Sequence, residues 1–285
     1  MIVADIILVT VSLVALIFAT IVDIRIKEVP DWISYSLIIS GIIIRLFHSI
    51  IFNDWFYLLY GLLGLSATFL IGTILYRANQ WGGGDAKLLM GLGTTLATKP
   101  FFTPESNLPF ISIIIIYIAV AGAFYGIAWS IVLIIKNRKN FITEFKSALK
   151  TGKIHVFQTA SLGVSLALII IVFFLDSSTL KTFTLGIALI TAVYFYLFVA
   201  VKSIENVSFY KKIPIEKLVE GDWLAQDIRV KNKIVLSKKT TIEKKHIIEL
   251  KSLNVKNVLI KEGIPFVPPF LLGTVLAVLI GNPFF

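Results

Sequence analysis

The chain has 285 residues, with 27 Lys plus Arg against 17 Asp plus Glu, a formal charge of +10 with His neutral. Its hydrophobic fraction is 57% and its charged fraction 15%, where soluble domains run at about 45 to 50% and about 25%. With a mean hydropathy of +0.88, these values exclude a soluble globular enzyme, a disordered chain, a coiled coil and a collagen. The apolar residues must face lipid.

A bilayer span needs roughly 17 to 25 mostly apolar residues. In chain order such runs fall near 2–22, 31–52, 55–76, 109–135, 154–175 and 180–202. Shorter apolar segments at 84–98 and 267–281 bring the expectation to about eight transmembrane helices. The first run has no basic leader and no small-residue cleavage pattern, and Asp5 stands where a signal peptide carries positive charge, so it is read as a retained span.

Cytoplasmic loops are enriched in Lys and Arg. With the N-terminus outside, the inner segments of an eight-span chain hold 24 of the 27 basic residues, leaving Arg45, Lys99 and Lys181 outside. The positive charge is thus a topology signal with affinity for anionic lipid, and no aromatic-interleaved basic motif points to nucleic acid.

Residues 203–266 are the one sizeable polar block. Asp227 to Ser237 alternates like a hairpin centred on Lys231, Asn232 and Lys233, and the Thr240/Glu243 spacing predicts a capped helix from Thr240 to Leu253. Asn257 to Lys261 reads as a further strand. Gly263, Pro265, Pro268 and Pro269 then break the chain before the last apolar run. The expected fold is an all-α polytopic membrane protein with a small cytosolic α+β module before its last helix. Its divisions are a catalytic membrane domain over 1–135, a cytosolic loop plus two additional transmembrane helices over 136–202, the module over 203–266 and a C-terminal transmembrane helix over 267–285.

The chemistry is expected at two acids. A charged side chain at membrane depth costs about 2.5 to 3.5 kcal/mol on insertion scales and marks a functional site by default. Asp23 ends the first span in TIVDIRIKEVPDW, and Asp85 opens the fourth in QWGGGDAKLLMGLG. The topology puts both at the cytoplasmic boundary. Two facing carboxylates cannot both ionise cheaply, so they hold one proton between them and titrate as a unit. The ionised member can take a proton from water while the other polarises a peptide carbonyl, which is peptide hydrolysis without a covalent intermediate. Gly82, Gly83 and Gly84 leave no side chains ahead of Asp85, so an extended substrate backbone can approach closely.

Asp23 followed by Pro30, together with GGGDAKLL around Asp85, resembles the type IV prepilin peptidases and the archaeal preflagellin peptidases, which are GxGD intramembrane aspartyl proteases. The resemblance covers residues 1 to about 135. It implies that Asp23 and Asp85 are catalytic, Gly82, Gly83 and Gly84 are the substrate-approach backbone, and Pro30 and Lys87 are possible supporting residues. The implied substrates are pilin-like or archaellin-like precursors, relieved of class III signal peptides at the cytoplasmic face of the cell membrane. Bacterial members carry a tetracysteine loop and also N-methylate the new terminus. This chain has no Cys, so it is similar to the archaeal type, with proteolysis but no methylation.

The absence of Cys also removes a disulfide framework, a thiolate zinc site and a cysteine nucleophile. His48, His155 and His246 lie on separate segments with no second ligand at helical spacing, so no metal and no cofactor is expected. Asp31 reads as a helix cap, Lys87 as an anchor reaching the headgroups, and Trp32, Trp55 and Trp81 as interfacial aromatics. Gly122 with Gly126, and Gly61 with Gly64, read as close helix packing. Glu28, Asp31 and Glu144 are the acids placed to receive a basic leader. Two other readings share the acids. One is a presenilin or signal-peptide-peptidase type of protease cutting deeper in the membrane, from which the nearby Arg25 and Lys27 speak away. The other is a proton-coupled carrier, which would show related halves with interrupted helices.

Overall fold

The computed structural model describes residues 2–283 apart from 79, 105, 151, 231, 232, 239, 241 and 254. In chain order its helices are α1 (Ile2–Ile26), α2 (Asp31–Phe52), α3 (Trp55–Arg77), α4 (Gly83–Thr95), α5 (Phe110–Lys136), α6 (Arg138–Leu149), α7 (Gly152–Val172) and α8 (Ser178–Ile204). Strands β1 (Tyr210–Pro214), β2 (Trp223–Leu224), β3 (Ile228–Val230) and β4 (Lys233–Leu236) follow, then α9 (Lys244–Ser252), β5 (Asn257–Lys261) and α10 (Val267–Ile280). The protein is a polytopic helical membrane protein. Among the described residues, α1, α2, α3, α5, the stretch His155–Val172 and the stretch Ser178–Phe209 are long and apolar enough to cross a bilayer. α4 has 13 residues and α10 has 14. At about 1.5 Å per residue they fall short of a hydrocarbon core about 30 Å thick.

Two compact units make up the chain, Met1–Ile127 with Ile264–Phe285, and Ala128–Gly263. In the first, the end of α1 and both ends of α2 have local causes. α1 ends where Lys27 takes the left-handed conformation (φ 58°) and donates its N–H to the Asp23 carbonyl at 2.8 Å. Pro30 then fixes φ at −59° and opens α2. α2 closes the same way, with Asn53 at φ 54° bonded back to the Ser49 carbonyl.

α4 is the pivot of this unit. Leu88, Leu89 and Leu92 are fully buried in a cluster that also holds Leu16 of α1, Leu37 of α2, Ile113 of α5 and Phe270 of α10. Backbones approach closely enough that side chains at the crossings would collide. A Cβ on Gly64 of α3 would overlap the Gly93 carbonyl of α4, and one on Gly72 would meet the Ala86 backbone at 3.2 Å. Without a hydrophobic force between helices in lipid, such close packing is what associates them. The reading of Gly61 and Gly64 as packing positions therefore holds. That of the Gly122/Gly126 pair holds only for Gly122, which receives the Phe266 ring, since nothing approaches a Cβ on Gly126 within 4 Å.

Arg45, assigned by charge bias to the outer side, is a fully buried residue within α2. Its Nε donates to Thr94 O (2.8 Å), Nη1 to Tyr57 O (2.9 Å), and Nη2 to Thr95 O (3.0 Å) and Thr98 Oγ1 (3.1 Å). Thr94 and Thr95 end α4, so the guanidinium caps carbonyls that have no helical partner and faces the negative end of the helix dipole. Its side chain passes over Gly61, where a Cβ would overlap it.

The second unit begins in the last turns of α5. α7 and α8 lie antiparallel, with the Ser161 hydroxyl donating to Thr191 O (2.6 Å) and the Ser165 hydroxyl to Ala188 O (2.9 Å). Its polar part is a three-stranded antiparallel sheet in the order β1, β5, β2, and a separate β3/β4 hairpin. Ile215, Leu224, Leu236, Ile242, Leu250 and Val258 are buried together there. The hairpin and β5 match the sequence pattern, although Lys231 and Asn232 at the hairpin's centre lie outside the described residues. The helix does not start at Thr240. Leu224 N–H donates to Thr240 O (3.1 Å) and Ile242 N–H to Asp222 O (2.8 Å), so the backbones of Thr240 and Ile242 are paired across to Leu224 and Asp222 rather than along a helix. α9 starts only after Glu243, whose N–H donates to His246 Nδ1 at 3.1 Å.

Candidate active site

The two acids are delivered by opposite kinds of helix end. Asp23 belongs to the last turn of the long α1, and Asp85 is the third residue of the short α4. The chain enters α4 through Trp81 and Gly82. Gly82 takes an extended conformation and donates its N–H to Asp85 Oδ2 at 3.1 Å. A carboxylate at this position closes the helix N-terminus on itself and is favoured by its dipole.

The three glycines are not equivalent. A Cβ on Gly84 would lie 2.8 Å from the Val29 Cβ, so this glycine lets α4 sit against the turn just before Pro30. A Cβ on Gly82 would face Asp85 Oδ2 at 3.2 Å, whereas one on Gly83 would make only an ordinary 3.6 Å contact with the Tyr76 ring. Gly84 thus joins the two motifs sterically. Through this contact the Val29–Pro30 turn and the start of α4 meet at one end of the unit.

Asp23 is 4% exposed. Its Oδ2 accepts a hydrogen bond from the Val267 N–H at 2.9 Å, and the Phe266 N–H is aimed at the same carboxylate. Val267 opens α10, so that helix presents its unsatisfied amides to the acid. Asp85, half-buried, stands in the first turn of α4, which meets the chain at Val29, six residues beyond Asp23. Two carboxylates near enough to interact titrate together and can divide acid and base roles.

Some expectations fail here for identifiable reasons. Asp31 does not cap α2, because Pro30 occupies the N-cap position and no side chain closes it. Instead Asp31 Oδ1 accepts from Lys87 Nζ at 2.6 Å. That pair ties α2 to α4, and Lys87 also lies 5.6 Å over the Tyr35 ring, so Lys87 is engaged with protein and not only with headgroups. Trp32 and Trp55 are exposed on helices, as interfacial aromatics are. Trp81 is not: its ring packs against Phe270 (centroids 5.1 Å) and Phe266 (6.1 Å). The contribution of α10 to the site has no signature in the sequence, since the donors are backbone amides. Pro265, Pro268 and Pro269 around them were the nearest available signal.

Residues 10–135 match the type IV leader peptidase family, a span that holds Asp23, Pro30 and Gly82 to Asp85. The chain is 28% identical over 132 residues to the preflagellin peptidase of Methanocaldococcus jannaschii, covering 45% of this chain and 56% of that one. It is 28% identical over 143 residues to the preflagellin peptidase of Methanococcus maripaludis, with coverage of 48% and 60%. Against the prepilin peptidase EppA of Methanothermobacter thermautotrophicus the identity is 23% over 158 residues, with coverage of 52% and 41%. The match spans about half the length of these curated relatives. The resemblance to prepilin and preflagellin peptidases read from the two aspartate motifs is borne out.

Proposed function

We propose that the protein is a membrane-embedded aspartyl endopeptidase that removes class III signal peptides from pilin-like or archaellin-like precursors. Asp23 and Asp85 activate one water, and no N-methylation follows. The observation that carries the reading is the meeting of the two motifs, Gly84 against Val29, each of which supplies one aspartate. The names of the archaeal relatives support the substrate class.

In this reading the amide-held Asp23 and the helix-capping Asp85 share a proton. The base takes a proton from water, the acid donates to the carbonyl oxygen, and the tetrahedral intermediate collapses with the proton returned to the leaving amine. Gly82 and Gly83, free of side chains, border the path of the substrate backbone. The reading assigns catalysis to residues 1–135 together with the start of α10, at the cytoplasmic boundary, and it is supported by Arg25, Lys27, Arg77 and Lys87 near the two acids in sequence.

The test is to co-express a class III precursor with the parent protein, Asp23→Asn or Asp85→Asn. Processing is expected with the parent alone. Normal processing by either folded variant ends the proposal.

A further inference from the structure

Each carboxylate is held by backbone from a different segment. Asp85 is held by the amide of Gly82, and Asp23 by the amides at the start of α10. Hydrolysis by a shared proton needs the two supports in fixed register, and one side chain touches both. Trp81 directly precedes Gly82, and its ring packs 5.1 Å from Phe270 and 6.1 Å from Phe266, with planes inclined at 56° and 48°. Tilted aromatic contacts at these distances are favourable and directional.

The receiving surface is closely packed. Phe270 is fully buried, and the Phe266 and Phe270 rings meet edge to face at 6.2 Å. Phe266 lies flush on Gly122 of α5, where a Cβ would come within 2.7 Å of its ring. Gly273, one turn beyond Phe270, packs on the Ile118 backbone, where a Cβ would sit at 2.6 Å. α10 is therefore seated as part of the unit, and a shift of the ring at position 81 would carry the Gly82 amide with it.

We propose that Trp81 is a positioning residue that holds the Gly82–Asp85 turn and the Phe266–Val267 amides in register, so that the two aspartates face one another. The role rests on the reading of Asp23 and Asp85 as the reacting pair. A displacement near 1 Å at reacting groups can cost on the order of 10²-fold in rate without loosening binding.

The test combines a distance with a rate. The parent chain has no Cys, so spin labels at Gln80→Cys and Leu272→Cys report the separation of the two supports in the detergent-solubilised full chain. Trp81→Ala is expected to broaden a narrow distance distribution, and in the unlabelled protein to lower kcat on a class III precursor by on the order of 10²-fold with KM within about twofold. Trp81→Phe restores both, and Trp55→Ala, at an exposed position, changes neither. If Trp81→Ala does not fold, Trp81→Leu is read by the same two measurements. An unchanged distribution overturns the proposal, as does a broadened one with kcat intact, or a rise in KM alone, which would make Trp81 a substrate contact. If the parent cuts no precursor yet the distribution broadens, the register role stands and the proposed reaction fails.

Discussion

The Val267 N–H donates a 2.9 Å hydrogen bond to Asp23 Oδ2 across 244 positions of sequence. The last helix of the chain thereby contributes to a site whose acids both lie in its first third. The contact is buried, so the carboxylate has exchanged water for fixed backbone dipoles that need no reorganisation during a reaction.

Asn at position 23 or 85 keeps the shape and removes the acid. Asp23→Asn and Asp85→Asn are each expected to lower the cleavage rate by at least about 10² to 10⁴, the range of general acid–base catalysis. The double variant should be no worse than the poorer single one, because the pair acts as a unit. Single-turnover rates on a labelled precursor check this.

Gly84→Ala and Gly83→Ala differ by one position and should differ sharply in outcome. The added methyl at 84 meets Val29, and overpacking of this kind costs about 1 to 3 kcal/mol. At 83 it finds room. Thermal unfolding in detergent should show a clear loss for Gly84→Ala and almost none for Gly83→Ala.

Arg45 is the largest fully buried side chain, and its donors serve four acceptors. Removing it strands the end carbonyls of α4, each at a cost of about 1 to 3 kcal/mol. Arg45→Ala should therefore be among the most destabilising single changes in the first unit. Arg45→Lys, which keeps the charge but not the planar fork, should recover only part of the loss.

Lys87→Ala removes a pair whose side chains are 32% and 58% exposed. Such pairs contribute about 0 to 1 kcal/mol, so the melting temperature should barely move, and high salt should not separate variant from parent. A large loss of activity with stability intact would instead place Lys87 among the groups that act on substrate.

What the sequence disclosed follows from what its patterns encode. Long apolar runs fix helices because lipid offers the backbone no other partner, so α1, α2, α3 and α5 were legible almost to their ends. Asp23 and Asp85 were legible because charge at membrane depth is costly enough to need a reason. Contacts between backbone and side chain leave no such trace, which is why the Val267 amide was invisible. The same holds for Thr240, where a capping spacing was overridden when Thr240 and Ile242 bonded to Leu224 and Asp222. Trp81 was placed by its position and Arg45 by its charge, and neither property registers a partner elsewhere in the chain: Trp81 packs on Phe266 and Phe270, and Arg45 meets the end carbonyls of α4.

The central claim is that these two acids together cut a peptide bond at the boundary between a basic leader and an apolar helix. The purified protein, reconstituted in lipid, should release from a class III precursor one new N-terminus at that boundary, identified by mass spectrometry, and none when Asp23 or Asp85 is Asn. An unaltered precursor, a cut well inside the apolar stretch, or undiminished cleavage by either variant would contradict it.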